Sequence, residues 1–133
     1  MSDISQLEEK ELIAKIHSTT ISVNDQDKAL DFYVNTLGFE KALDAMFGEN
    51  MRFLSVVPPG ATTQLVLAHT SWGGPISAEN SGISFTTPNI DETYKTYSDR
   101  GVNFKSPPED MPWGQKATWF SDPDGNNFFL VEE

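Results

Sequence analysis

Two stretches of this chain share the same order of a tight turn and an apolar strand. The sequence V-P-P-G at 57–60 precedes Q-L-V-L at 64–67, and S-D-P-D-G at 121–125 precedes F-F-L-V at 128–131. A shift of 65 positions aligns the two stretches and places Gln64 on Phe129. Because Asp-Gly before an alternating strand is a strong hairpin signal, the repeat predicts a duplicated unit that ends in a hairpin.

The residues before each stretch also repeat. Apolar and polar residues alternate at 17–23 and again at 82–87, which is typical of a strand with one buried face. Each strand leads into an amphipathic helix that a glycine ends, Gly38 in the first half and Gly101 in the second. Further strands are predicted at 39–45, 51–57 and 64–68, and then at 102–105, 117–120 and 127–131. We therefore predict an α+β fold of two βαβββ modules that form a cup-shaped mixed β-sheet with flanking helices.

The domain organisation follows from this repeat. The first module takes residues 16–68 and the second takes residues 81–133, and a linker at 69–80 joins them. Residues 1–15 contain S-Q-L-E, which fits a helix capping box, and are predicted to form an N-terminal helical extension.

The strand faces that point away from the helices predict a ligand cavity. Their side chains are too polar for a plain core and too apolar for open solvent, so two such faces opposite each other would enclose a small molecule. These faces carry Ser18, Thr20, Ser22, Gln64 and Val66 in the first module, and Gly82, Ser84, Thr86, Phe129 and Val131 in the second.

Composition excludes several classes of function. Twenty acidic and nine basic residues give a formal net charge of −11, which repels nucleic acids and anionic membrane surfaces. The chain has no cysteine, so disulfides, thiolate nucleophiles and cysteine-bound zinc are excluded. It lacks an export signal and a long apolar run, so we expect a cytoplasmic protein without membrane contact.

Several short motifs in a fixed order resemble one family. They are D-x-x-x-A-x-x-F-Y-x-x-x-L-G-F at 25–39, R-G-V at 100–102, P-W-G at 112–114 and D-P-D-G-N at 122–126. With these motifs the chain resembles the vicinal oxygen chelate superfamily, which includes glyoxalase I, extradiol dioxygenases, fosfomycin-resistance transferases and bleomycin-resistance binding proteins. The resemblance covers residues 16–132. It implies paired βαβββ modules, commonly in homodimers, with a divalent metal at the floor of the cup in the enzymes.

The resemblance also implies where metal ligands would lie. The corresponding positions are Ser18 and Gly82 on the first strands, and Gln64 and Phe129 on the last strands. Only Gln64 is a plausible ligand, because a divalent cation needs about three protein groups with lone pairs. The resemblance therefore implies no metal cofactor here. The alternative is a divalent metal held by Gln64 together with His17 or His69.

Aromatic and basic residues outside the regular core are further candidates. Trp72 in the linker and Trp113 in P-W-G either stack on a planar or cationic ligand or anchor their loops. Arg52 would favour a carboxylate or phosphonate group if its side chain faced the cup. Because neighbours on a strand point to opposite faces, one of Trp119 and Phe120 should face the cup.

Three functions remain open from these residues. The first is a small-molecule-binding protein that sequesters an aromatic or cationic compound, as bleomycin-resistance proteins do. The second is a glyoxalase- or dioxygenase-type enzyme with an atypical metal ligand set, and the third is a structural dimer with a vestigial cup. The cup forms either within one chain or across a homodimer. Its predicted ligand-binding residues are Ser18, Thr20, Gln64, Ser84, Trp113, Phe129, Arg52 and Trp72.

Overall fold

A four-stranded sheet with one helix against it forms the first half of the chain. The computed structural model describes residues 12–77 and 79–133, so most of the predicted N-terminal extension, residues 1–11, lies outside the described residues. Strands β1 (Ser18–Val23), β2 (Glu40–Met46), β3 (Arg52–Val57) and β4 (Gln64–His69) lie in the order β1-β4-β3-β2. Strands β1 and β4 are parallel, and the other pairs are antiparallel.

Helix α1 (Gln26–Asp31) connects β1 to β2. It begins at Asp25, whose carboxylate accepts a hydrogen bond from the backbone N–H of Lys28 at 3.0 Å. This is the usual way to satisfy a free donor in the first helical turn. The helix continues into one π-helical turn (Phe32–Thr36) before β2.

The second half repeats this topology after a short helix, α2 (Thr70–Gly73), in the linker. Strand β5 (Ser84–Thr87) leads through helix α3 (Ile90–Asp99) to β6 (Asn103–Phe104), and then to β8 (Lys116–Ser121) and β9 (Asn127–Glu132). The sheet order is β5-β9-β8-β6, and a short strand β7 (Glu109–Asp110) also pairs with β8. Since β5 is parallel to β9 as β1 is to β4, the predicted α+β fold of two βαβββ modules is confirmed.

The two modules share one apolar core on the side of α1 and α3. Tyr33 on the π-helical turn contacts Phe128 of β9 with ring centroids 6.3 Å apart, and Phe39 contacts Phe85 of β5 at 5.6 Å. Apolar side chains that point to the helices in both sheets belong to the same cluster, including Leu54. The shared core means that neither module buries its apolar residues alone.

A buried polar group joins the modules beside this core. The hydroxyl of Tyr33 donates to Asp122 at 2.7 Å, and the amide of Asn126 donates to Asp122 at 2.9 Å and to the carbonyl of Ser22 at 3.0 Å. Burial raises the pKa of the Asp122 carboxyl. Burial, followed by the nearby Asp122 carboxylate, raises the pKa of Tyr33 well above its ordinary value.

The D-P-D-G-N turn positions this polar group. Gly125 has a φ of 91°, a left-handed conformation that favours glycine, and its N–H donates to the carbonyl of Asp122 at 3.0 Å. In residues 12–77 and 79–133, no helix combines the length and apolarity that crossing a lipid bilayer requires.

Candidate functional site

The cup face of each sheet is the face whose side chains point away from α1 and α3. The register places Ser18 opposite Gln64 and Thr20 opposite Val66 on the cup face of the first sheet. On the second sheet it places Ser84 opposite Phe129. Ser18, Gln64 and Phe129 are half-buried, whereas Thr20 and Ser84 are exposed.

Three aromatic side chains gather on the cup face of the second sheet. Trp119 of β8 lies opposite Phe129 of β9, with ring centroids 5.1 Å apart. Trp113 in the turn between β7 and β8 approaches Phe129 at 6.4 Å and is 61% exposed. We call Trp113, Trp119 and Phe129 the second-sheet aromatic cluster. Trp119 is therefore the cup-facing member of its pair, since Phe120 is buried in the shared core.

A separate group of aromatic residues lies on the first sheet. Phe53 of β3 contacts Phe47 at 6.4 Å and stacks on Trp72 at 6.3 Å, with an angle of 18° between the two ring planes. We call Phe47, Phe53 and Trp72 the first-sheet aromatic group. The Trp72 indole N–H is buried and has no hydrogen-bond acceptor among the described residues.

Helix α2 places Trp72 against the first sheet. The helix contacts β1 and β4. A Cβ added to Gly73 would lie 2.6 Å from the Cβ of Ala68 and 2.8 Å from the hydroxyl of Ser22, both on the cup face. Only glycine lets the chain at position 73 lie this close to β1 and β4, because a Cβ atom essentially never comes within 3.0 Å of a heavy atom outside its own residue and its two chain neighbours.

Gln64 takes part in a partly buried hydrogen bond on the cup face. The hydroxyl of Ser55, a fully buried residue on β3, donates to the Oε1 atom of Gln64 at 2.7 Å. Gln64 also lines an open groove of about 440 Å³, which Ser84 and Thr86 of β5 line from the other module. The structure thus brings Gln64 and Ser84 to one groove, and Trp113 and Phe129 to one cluster.

Arg52 lies on the opposite side of the first sheet. It alternates with Phe53 and shares the face of Leu54, which is buried in the shared core. Its guanidinium pairs with Asp44 at 2.9 Å and with Asp27 of α1 at 2.7 Å. Hydrogen bonds to Asp44 and then Asp27 raise the pKa of Arg52, and the hydrogen bond from Arg52 lowers the pKa of Asp44. Arg52 therefore does not join the other candidate residues.

The two histidines lie at the ends of the first sheet. The ring Nδ1 of His69 accepts from the N–H of Ser71 at 3.0 Å and caps α2. His17 is exposed, and its carbonyl accepts from the N–H of Gln64 at 2.9 Å. Neither contact brings an imidazole to the groove beside Gln64.

The donor set does not fit a divalent metal at the position that the resemblance implies. Phe129 offers no lone pair, Gly82 has no side chain, and Ser18 offers only a hydroxyl, so Gln64 alone is a plausible ligand where about three are needed. Within the part of the chain that the structure describes, no three His, Cys, Asp or Glu side chains are grouped so that they could hold a metal ion.

Sequence reasoning missed four residues of these faces. Sequence alone does not decide between Trp119 and Phe120, although the place of Trp119 opposite Phe129 in the hairpin is a usable signal. Phe53 and Ser55 share one face of β3, which alternation alone indicates once Leu54 is assigned to the core. Phe47 follows β2 in a turn, and no sequence signal placed it near Phe53.

The chain belongs to the Glyoxalase/Bleomycin resistance protein/Dioxygenase superfamily, whose family model matches residues 15–130. The resemblance to the vicinal oxygen chelate superfamily is thereby confirmed. A relative is the uncharacterized protein YetH of Bacillus subtilis (strain 168), which is 34% identical over 121 residues. That alignment covers 91% of this chain and 100% of YetH.

Two solved structures are similar to this chain in fold and sequence. A member of the same superfamily from Sphaerobacter thermophilus DSM 20745 is 63% identical, with a TM-score of 0.88 and coverage of 92% of this chain and 99% of that one. TnmS3, an antibiotic binding protein from Streptomyces sp. CB03234, is 35% identical, with a TM-score of 0.80 and coverage of 90% and 96%.

Proposed function

We propose that this protein binds a planar aromatic small molecule on the cup faces of its sheets and sequesters it without chemical change. The observation that carries this proposal is the second-sheet aromatic cluster of Trp113, Trp119 and Phe129. The exposed indole of Trp113 beside the half-buried ring of Phe129 leaves aromatic surface available to a ligand. The flat faces of such rings stack on planar ligands.

The comparison with TnmS3 supports a binding function. TnmS3 is an antibiotic binding protein, and it shares 35% of its residues with this chain over 90% of the chain. Folds of this superfamily serve several chemistries, so the argument for binding depends on the site.

The proposed binding needs no metal ion. The support is chemical: Phe129 and Gly82 stand at two positions where a metal ligand would be required, and neither residue has a side chain that can bind a cation. The net charge of −11 favours neutral or cationic aromatic compounds over anionic ones.

The test is equilibrium dialysis with fluorene, a planar three-ring hydrocarbon, on wild type and a Phe129→Ala variant. Loss of the ring removes an aromatic contact of about 1.5 kcal/mol, so affinity should fall about tenfold. Tyr94→Ala serves as the matched control, because Tyr94 packs on Phe104 at the helix side of the second sheet. The control should bind fluorene as wild type does. Absence of fluorene binding to the wild-type protein would overturn the proposal.

We further propose that two copies of the chain share each binding site. The support is that the first-sheet aromatic group and the second-sheet cluster make no ring contact with each other within the described residues. A second copy would place its first sheet opposite the second sheet of this one, so that a ligand contacts aromatic rings on both sides.

Mixing two defective variants tests this sharing. Trp72→Ala damages the first sheet and Trp113→Ala damages the second, so each variant alone should bind fluorene weakly. In a mixed dimer, one of the two shared sites combines the intact first sheet of one copy with the intact second sheet of the other. Mixing should therefore restore part of the binding. If each site lies within one chain, mixing restores nothing and the sharing is refuted.

A further inference from the structure

The buried hydroxyl of Ser55 restricts how Gln64 can meet a ligand. Ser55 is fully buried, and its hydroxyl lies 2.7 Å from Oε1 of Gln64. A buried hydroxyl must donate its proton, because an unsatisfied donor costs about 1 to 3 kcal/mol. Among the described residues, Oε1 of Gln64 is the acceptor that this hydroxyl meets.

This contact fixes the orientation of the Gln64 amide. With Oε1 turned toward Ser55, the Nε2 group at the other end of the amide points away from it. Within the described residues, Nε2 has no acceptor of its own, and Gln64 lines the groove that Ser84 and Thr86 complete. The end of the amide that is free for a ligand therefore carries two N–H donors and no oxygen.

We propose that Ser55 is a positioning residue that makes Gln64 a donor, so that the cup face of the first sheet selects ligands with a hydrogen-bond acceptor on the edge of a planar ring system. The chemical class is an aromatic ketone, quinone or related carbonyl compound. This inference rests on the proposed binding function and narrows its ligand.

The same contact separates Gln64 from the metal ligands of the superfamily's enzymes. A glutamine binds a cation through its amide oxygen. Here that oxygen is turned toward Ser55, and the free end of the amide carries N–H groups, which repel a cation. The amide is thus arranged for an organic acceptor.

Three ligands with one ring skeleton test the proposal by equilibrium dialysis. 9-Fluorenone carries a carbonyl acceptor, fluorene carries a methylene group, and carbazole carries an N–H donor at the same position. Wild type should bind fluorenone about fivefold more tightly than fluorene, which corresponds to one neutral hydrogen bond of about 1 kcal/mol. Carbazole should bind no better than fluorene.

Two variants separate positioning from a structural role. Ser55→Ala frees the amide to rotate, so the preference for fluorenone should shrink and carbazole should gain affinity relative to fluorene. Gln64→Glu presents only acceptor oxygens, so it should reverse the order and favour carbazole. Because Gln64 is half-buried, this second variant tests the idea even if the buried Ser55→Ala site perturbs folding, which circular dichroism checks.

The outcomes distinguish this inference from the proposed function. If wild type binds none of the three compounds, both the function and the inference fail. If wild type binds all three equally, binding stands and the inference is wrong. If Ser55→Ala keeps the full fluorenone preference, Gln64 needs no orientation from Ser55 and the positioning role is refuted.

Discussion

Gln64 and Phe129 occupy equivalent places in the two modules, yet they present opposite chemistry. Gln64 is the first residue of β4, and Phe129 lies within β9. Each of these strands pairs in parallel with the first strand of its module, and both side chains face the cup. Gln64 is a polar residue that accepts a hydrogen bond from a buried serine, whereas Phe129 contacts two tryptophans. The two modules therefore have the same strand pairing but differ in the side chains that they present on the cup face.

The side of the sheets that faces the helices shows no such difference. Both modules contribute to one apolar core, and Tyr33 and Asp122 connect them by a hydrogen bond of 2.7 Å. The comparison teaches that packing constrains one face of each sheet, while the other face is free to specialise. Three predictions test how far this separation holds.

The largest effect should come from the shared side. Tyr33→Phe removes the hydroxyl that donates to the buried Asp122 carboxylate and should lower the free energy of unfolding by about 2 to 3 kcal/mol near neutral pH. Urea denaturation followed by circular dichroism measures this change. A single cooperative transition in wild type is expected, because both modules depend on this contact. Two separate transitions would show that the modules fold independently.

The same variant should show a particular pH dependence. Since the folded-state pKa of Asp122 is raised by burial, the folded protein binds more protons than the unfolded chain just above the ordinary carboxyl range. The contribution of Asp122 to stability therefore falls as pH rises through this window. Removing the Tyr33 hydroxyl raises that pKa further, so the destabilisation should be smaller near pH 4 and larger near pH 7, by about 1 kcal/mol.

The second prediction concerns a variant in which the first sheet carries a phenyl ring at the position equivalent to Phe129. Gln64→Phe removes the acceptor for the buried Ser55 hydroxyl and should cost about 1 to 2 kcal/mol of stability. The double variant Ser55→Ala/Gln64→Phe should recover most of this loss, because both polar partners are then absent. Urea denaturation of the four proteins in this cycle measures the coupling. Additive effects would mean that the Ser55 to Gln64 bond contributes nothing.

The smallest effect should come from Arg52. Arg52→Ala breaks ion pairs with Asp44 and Asp27 at a partly exposed site, so the loss should be about 0.5 to 1 kcal/mol. The loss should fade as pH falls through the lowered pKa of Asp44, because that depressed pKa stabilises the fold only while the carboxyl is ionised. Fluorene binding should be unchanged, since Arg52 faces away from the cup. A variant that loses binding would place Arg52 in the site.

Sequence alone predicted the fold because the informative signals were local. Alternation assigned strand faces, glycines ended the helices, and the D-P-D-G turn identified the last hairpin. The proximity of Trp113 to Phe129 follows from the same hairpin, since both lie next to β8. These contacts depend on neighbours in sequence or on one tight turn.

The remaining parts of the site depend on long-range geometry. The hydrogen bond between Ser55 and Gln64 requires the register across the 58–63 loop, which no residue pattern specifies. The place of Arg52 depends on which of two faces of β3 enters the core, because Phe53 and Leu54 are both apolar. The stacking of Trp72 on Phe53 requires α2, a helix too short to be recognised from periodicity.

The close fit of Gly73 against Ala68 and Ser22 gives the linker two mechanically different parts. Residues 70–73 are pressed onto the first sheet, so an added residue there would shift Trp72 off Phe53. Beyond Gly74 the chain is no longer held by this contact. Length variation among relatives should therefore be tolerated after Gly74 and not before it, so the part of the linker that belongs to the binding wall ends at that glycine.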